Sequence, residues 1–448
     1  MLLVALYAAT IAFRPLLPID ETRYMSAAWE MYLRGDWLAP LTVNFQPYHH
    51  KPPLLFWLIN SAWSIFGVSR WAGTLPVLIS SIACLFLTKK LGELLFPDSA
   101  RVSQTVPILL VGSLPFLLYS QVVMFDITLT VFVLLSLIAL VLYAKAGQRK
   151  YLLWMALAMG LGVLTKGPVA WLYVIFPILA GPLWIPRETP RAKWYGGCAL
   201  ALVLSVIPVS LWLIPVLLNS SDKFAFWLIW EQTAGRVTGD FNAAHARPLW
   251  FYLPYVPVLF LPWLFFPSFW KGARGLKNSY TNDWGVRFLA VWISSVFIAF
   301  SLISGKQPHY LVPLLPGVII LMALWIKPSL KKLAYTASAM AIILCIGQGI
   351  ASQFIFEKYD LKIMAGYLRQ HPDQDLAFVP KYHGELTFTG RLKKPIDSEQ
   401  LGTIGDWLKV HPNGLAIIRY ENEDEIKGYK MLFNMPYRGN YMGVFKLK

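Results

Sequence analysis

Six short stretches hold the side chains that could do chemistry. They are Asp20-Glu21, Tyr48-His49-His50-Lys51-Pro52-Pro53, Asp126, Lys166-Gly167-Pro168, the loop around Arg236, Asp240 and His245-Ala246-Arg247-Pro248, and Ser304–Tyr310 with Lys306 and His309. Lysine and arginine suit a phosphate group. Carboxylates suit a hydroxyl or amine acceptor, or a metal ion. A histidine pair beside lysine offers a metal ligand or proton carrier next to a fixed cation. Aromatic faces such as Trp29, Trp37, Tyr48 and Trp57 suit a sugar ring. Each stretch also has a plain structural reading. Asp20-Glu21 and Asp126 can cap helices, Lys166 can extend along apolar surface to water, and loop charges can simply be solvated. The set as a whole resists that reading, because ionisable groups within or beside a bilayer are costly and mark function.

The surrounding chain is apolar. Of 448 residues, 56% are hydrophobic and 14% charged, against about 45–50% and 25% in soluble domains. This excludes an ordinary soluble enzyme and a disordered chain. The 19 Trp, 21 Tyr and 27 Phe suit interfacial anchoring. Cys84, Cys198 and Cys345 sit in apolar runs without C-x-x-C spacing, so neither a disulfide framework nor a zinc ribbon is expected. The start, MLLVALYAAT, reads as a first membrane helix rather than a removed signal peptide.

About eleven runs are long and apolar enough to cross a bilayer: 2–18, 71–88, 102–119, 127–143, 151–165, 168–185, 195–217, 250–269, 288–304, 310–326 and 333–351. The alternate loops 89–101, 145–150, 187–193, 271–287 and 327–332 hold 16 Lys/Arg and four acids, a net +12 of the chain's +16. Positive charge collects on one face, as cytoplasmic loops do. No nucleic-acid surface is needed to explain it. The chemistry-bearing stretches then share the opposite, outer face. The apolar stretch 53–68 is read as an interfacial helix, which preserves this charge pattern. Residues 351–448 change character. LAFV, LAIIRY and MGVFKLK read as strands, 360–370 and 398–410 as helices, and His411–Gly414 as a turn. A small α/β domain is expected there. The residues alone point to a membrane enzyme or transporter handling a lipid-linked anion.

The stretch PIDETRYMSAAWEMYLRGDWLAPLTVNFQPYHHKPPLLFWL, with Asp126, TKG at 165–167, HARPLWFYLP at 245–254 and KQPHYLVPLLP at 306–316, resembles the integral-membrane glycosyltransferases of the protein-mannosyltransferase-like superfamily. The nearest group is the bacterial aminoarabinose transferases that decorate lipid A. The resemblance covers residues of about 10–320. It implies a GT-C fold, with about eleven or more transmembrane helices and an extracytoplasmic C-terminal domain. It also implies an inverting transfer from a polyprenyl-phosphate sugar. Asp20 matches the family's essential acidic position, Lys51 the donor-phosphate lysine and Asp126 a second required carboxylate. His245 matches a metal-coordinating histidine and Tyr310 a tyrosine near the phosphate. His50 replaces a metal-binding glutamate of the group, and histidine also ligates zinc.

The expectation is a membrane domain over 1–350, with active-site loops 19–70 and 218–249, and a periplasmic domain over 351–448. Asp20, Asp126 and Glu21 are the candidate catalytic residues. Lys51, Lys166, Lys306, Tyr310, Arg247 and Tyr48 are the candidate substrate-binding residues, and His50 and His245 the candidate metal ligands. The set admits a divalent ion, zinc or magnesium, and needs no nucleotide cofactor. The expected partners are the donor, a lipid A or other glycolipid acceptor, and membrane lipid, with no nucleic acid. The expected location is a bacterial inner membrane, N-terminus cytoplasmic and C-terminal domain periplasmic. A protein acceptor, or a lipid-linked-sugar flippase, are the alternatives.

Overall fold

The computed structural model describes residues 1–231 and 246–448. Each of the eleven apolar runs overlaps helical residues, though not each as one continuous helix. Among the described residues six helices are long and apolar enough to cross a membrane: Arg70–Leu95, Phe125–Ala146, Arg191–Leu218, Trp284–Leu302, Pro308–Trp325 and Leu330–Phe354. Shorter apolar helices include Leu2–Phe13, Leu54–Phe66, Ala100–Val111 and Val169–Leu179. The run at 250–269 is broken into short turns, Leu249–Tyr255, Val256–Leu259 and Trp263–Phe265. Pro254, Pro257 and Pro262 explain this, since each removes a backbone donor and crowds the preceding turn. Gly160 has a packing reason. A Cβ there would stand 2.2 Å from Pro208 Cγ and 2.5 Å from the Ser205 carbonyl, so only glycine lets the two backbones approach this closely. Cys84, Cys198 and Cys345 are free thiols.

The chain forms two compact units. The first comprises Met1–Tyr7, His49–Leu58 and Thr74–Leu344, and it contains most of the apolar helices. The second comprises Ala8–Tyr48, Ile59–Gly73 and Cys345–Lys448. The helix Asp20–Arg34, in the first long loop of the sequence, therefore shares a unit with the C-terminal residues.

The second unit is built on a five-stranded sheet in the order Asp397–Ser398, Leu376–Val379, Leu415–Tyr420, Asn440–Leu447, Tyr429–Tyr437. The first three strands pair in parallel and the last two form an antiparallel hairpin. Its turn is Arg438-Gly439, both at positive φ (52° and 89°), matching the turn class that suits strand twist. Successive strand residues point to opposite faces. Phe378 and Ile417 pack with Met364 and Leu368 of the helix Lys362–Arg369. Ala377 and Ile418 pack with Ile404 and Trp407 of the helix Ile404–Val410. Both faces are covered, so LAFV and LAIIRY are apolar without alternation.

The same unit ties its N-terminal helix down with side-chain hydrogen bonds. Ser26 Oγ donates to the Gly384 carbonyl (2.6 Å), and Trp29 Nε1 to the Leu392 carbonyl (2.8 Å). Asn44 and Ile396 exchange two bonds of 2.7 Å. Glu30 is fully buried. Its carboxylate accepts the Asn44 N–H at 2.7 Å and the Phe45 N–H at 2.8 Å. Those two residues form the left-handed turn of the hairpin Thr42–Val43/Gln46–Pro47. Burial raises the Glu30 pKa, against the pull of these bonds. Glu30→Ala removes both acceptors, so it should cost about 2–3 kcal/mol and lower the melting temperature of the purified protein by several degrees. A change within one degree would contradict that role.

Candidate active site

In the first unit, two lysines meet the first turn of the long helix Phe125–Ala146. Lys166, the last residue of the helix Arg149–Lys166, forms an ion pair with Asp126 Oδ1, the two side chains being 7% and 1% exposed. The other oxygen, Asp126 Oδ2, has no hydrogen-bond partner among the described residues. Lys51 Nζ lies 5.4 Å from the centre of the adjacent Phe125 ring. Pro52 and Pro53 end the segment carrying Lys51 and lead into the helix Leu54–Phe66, as proline suits a helix start.

A second strand of the site is the turn before the helix Leu315–Trp325. The Tyr310 ring faces Lys166 Nζ at 4.5 Å, and its carbonyl accepts the Tyr173 hydroxyl at 2.7 Å. The Tyr252 hydroxyl donates to the Gln307 carbonyl at 3.1 Å. Lys306 is 2% exposed and donates to the Arg247 carbonyl at 2.9 Å. Among the described residues no carboxylate pairs with Lys306, and burial lowers its pKa. Arg247 lies 5.9 Å from the Phe251 ring centre, and its N–H donates to the Ser304 carbonyl. Asp126, Lys166 and Tyr310 are thus joined through direct contacts, Lys51 lies over the ring of Phe125 next to Asp126, and Lys306 ties the Arg247 backbone to the segment leading to Tyr310.

Asp20, Glu21 and Tyr48 belong to the second unit. Glu21 is buried and takes Arg14 in a two-pronged pair, 2.5 Å to Oε2 and 3.3 Å to Oε1, while Oε2 also accepts the Leu17 N–H at 2.9 Å. Both oxygens are engaged, so Glu21 holds the chain from Arg14 into its helix. Its neighbour Asp20 is exposed, with the Tyr24 hydroxyl 3.4 Å from Oδ1. Of the acidic pair, Asp20 is the carboxylate open to a substrate. Tyr48 is buried, and its N–H donates to the Leu41 carbonyl. Trp29 and Trp57, two aromatic faces expected to suit a sugar, are packing residues: Trp29 is buried and Trp57 lies against the cluster of Leu54, Leu164 and Trp212.

His49 and His50 place their rings 4.3 Å apart, and His49 also lies 5.1 Å from Trp227. Arg236, Asp240 and His245 lie outside the described residues. Among the described residues no three His, Cys, Asp or Glu side chains converge as a metal site. Of the expected metal pair, His50 is described and His245 is not. Asp373-Gln374-Asp375 is a turn before the strand Leu376–Val379, with both carboxylates exposed.

Sequence reasoning missed Arg14, Tyr173, Tyr252 and Glu30. Arg14 interrupts an apolar run, which was its one available signal. The two tyrosines looked like any aromatic residues in apolar surroundings, and their carbonyl partners carry no side-chain signature.

The family model described as dolichyl-phosphate-mannose-protein mannosyltransferase matches residues 50–212. An undecaprenyl phosphate-α-4-amino-4-deoxy-L-arabinose arabinosyl transferase of Pseudomonas fluorescens (strain Pf0-1) is 31% identical over 313 residues, 67% of this chain and 54% of that protein. Its counterpart in Pseudomonas aeruginosa (strain UCBPP-PA14) is 32% identical over 314 residues, 68% of this chain and 54% of that protein. The crystal structure of ArnT from Cupriavidus metallidurans bound to undecaprenyl phosphate matches with a TM-score of 0.81 at 16% identity, covering 99% of this chain and 96% of that one. The chain belongs to the protein-mannosyltransferase-like superfamily of GT-C fold. The likeness of fold reaches further. The archaeal oligosaccharyltransferase AglB from Archaeoglobus fulgidus, in complex with an inhibitory peptide and a dolichol-phosphate, matches at a TM-score of 0.54 and 13% identity, over 99% of this chain and 73% of that one. The chain spans about half the length of the curated superfamily relatives it matches.

Removing one partner of a buried ion pair strands the other charge, at a cost of about 3–5 kcal/mol. Asp126→Asn and Lys166→Met should each destabilise the purified protein by that order. The double variant should recover most of the loss, because no charge is left stranded. Additive losses in a thermal or denaturant series would refute the pairing.

Proposed function

We propose that the protein is an inverting glycosyltransferase of a bacterial inner membrane. It moves a sugar from a polyprenyl-phosphate donor to lipid A or another envelope glycolipid on the outer face. The observation that carries this reading is the convergence of Lys51 and Lys166 on the Asp126 turn beside Tyr310, in a chain whose relatives are named as undecaprenyl-phosphate aminoarabinosyl transferases. The proposal includes about eleven membrane helices, a cytoplasmic N-terminus and a periplasmic domain over 351–448, consistent with the positive charge of one set of loops.

The chemistry follows from charge. The acceptor oxygen attacks the anomeric carbon while the bond from that carbon to the phosphate oxygen breaks. A new glycosidic bond forms on the opposite face, and the polyprenyl phosphate leaves with the electron pair. Negative charge grows on the leaving phosphate, where fixed cations in a water-poor site act most strongly. Lys51 and Lys166 supply them, with Lys306 and Arg247 in the neighbouring segment. The Asp126 carboxylate holds and aims Lys166. Where the acceptor is a hydroxyl, Asp20 takes its proton. Where it is already a phosphate anion, no base is required and Asp20 orients it. Binding falls to the same residues, Tyr310 packing against Lys166 and Tyr48 lying just before the His49-His50-Lys51 stretch in the chain.

A protein serine or threonine acceptor is the second reading, favoured by the description of the matching family. Radiolabel transferred from the donor to exported protein rather than to glycolipid would select it. Donor crossing the bilayer with no new glycosidic bond would instead mark a flippase. For the leading reading, purified protein is assayed with undecaprenyl-phosphate aminoarabinose and lipid A. Asp20→Asn and Lys51→Ala should each lower transfer at least about 100-fold, the scale of losing one acid–base or electrostatic group, with membrane insertion unchanged. Near-wild-type transfer by both would overturn these roles.

A further inference from the structure

A cavity of about 200 Å³ inside the second unit is lined by Arg70, Arg369, Arg391, Lys362 and a single acid, Asp360. Lys362 pairs with Asp360 at 3.6 Å, which leaves three guanidinium groups around one small space. Among the described residues no ion pair engages Arg369 or Arg391. None of these residues takes part in the transfer chemistry above.

The arginines are held in place. Arg391 lies 4.1 Å from the centre of the Phe388 ring and donates to the carbonyls of Phe388 and Val68, at 2.5 Å and 3.3 Å. Arg70 donates to the carbonyls of Thr10 and Ile11, at 3.1 Å and 3.3 Å. Arg369 donates to the Thr389 carbonyl. A guanidinium has five N–H donors, so these bonds orient all three groups and leave donors over on Arg369 and Arg391. Burial, with a smaller contribution from the like charge of Arg369, pushes the Arg391 pKa down to about 10. That arrangement is costly empty and favourable around an anion. Planar guanidinium groups fit phosphate oxygens two at a time.

The remaining walls are apolar, with Leu16 and Phe388 both buried. Pro15 and Leu16 follow directly on the apolar helix Leu2–Phe13. A soluble anion gains nothing from such walls, whereas an acyl chain does. The geometry points to a binding site for a phosphate monoester carried on an amphiphile, the headgroup of an anionic lipid. The site stands independently of the transferase reading, since its signal is binding and not turnover.

The test uses the full chain in detergent and measures binding of short-chain phosphatidic acid, phosphatidylcholine of matched chain length, and inorganic phosphate. Arg391→Gln is the obvious variant, but it removes bonds that hold the fold. The deciding variant is therefore K362A/R369A, which alters two exposed side chains. Wild type should bind phosphatidic acid at least about tenfold more tightly than phosphatidylcholine, and the double variant should lose about tenfold or more of that affinity, the scale of lost charge-assisted bonds. Inorganic phosphate bound as tightly, and weakened equally by the variant, would keep the phosphate site and make its source a free anion. Unchanged phosphatidic acid affinity in the double variant would overturn the proposal. So would the absence of measurable binding to either phosphate probe.

Discussion

The ion pair between Asp126 and Lys166 is the interaction about which the charged side chains of the first unit are arranged. A carboxylate 1% exposed among apolar helices is costly unless a cation meets it. Such pairs contribute little net stability compared with apolar residues of the same shape. The pair has a different physical use here: it fixes a lysine at the first turn of the helix Phe125–Ala146. Everything nearby is arranged about that turn. Lys51 packs over Phe125, Tyr310 packs over Lys166, and Tyr173 holds the Tyr310 backbone. A phosphate entering such a site meets cations that need little reorganisation, which is the condition for strong electrostatic catalysis.

The second unit solves a different problem with the same means. Its helix Asp20–Arg34 bonds Gly384 and Leu392, each more than 350 positions away in sequence. Arg14 neutralises Glu21, and Glu30 holds the Asn44-Phe45 turn. Two of the helix's acids are thereby committed to structure. Asp20 alone of the adjacent pair stays exposed, while Glu21 is engaged by Arg14.

Much of this was legible in the sequence. The apolar runs marked the helices because burial in lipid demands uninterrupted apolar length. LAFV, LAIIRY and MGVFKLK marked strands because both sheet faces are covered. The chemistry-bearing residues were visible as polar exceptions in apolar surroundings. What was not legible were partners. Nothing local links Lys166 to Asp126, forty positions away, or Ser26 to Gly384. The strand Tyr429–Tyr437 escaped notice because it contains Asn434 and Pro436. It lies at the edge of its sheet, the one place where a strand tolerates proline. The equal-looking acids Asp20 and Glu21 could be told apart only once Arg14 was placed.

Mass spectrometry of envelope lipids from a strain lacking this gene is the most direct test of the central claim. The comparison is with the same strain carrying the wild-type chain. A sugar mass should vanish from a glycolipid while the polyprenyl-phosphate sugar accumulates, and the wild-type chain should reverse both. An unchanged lipid profile under conditions where the protein is made would contradict a transferase acting on an envelope lipid.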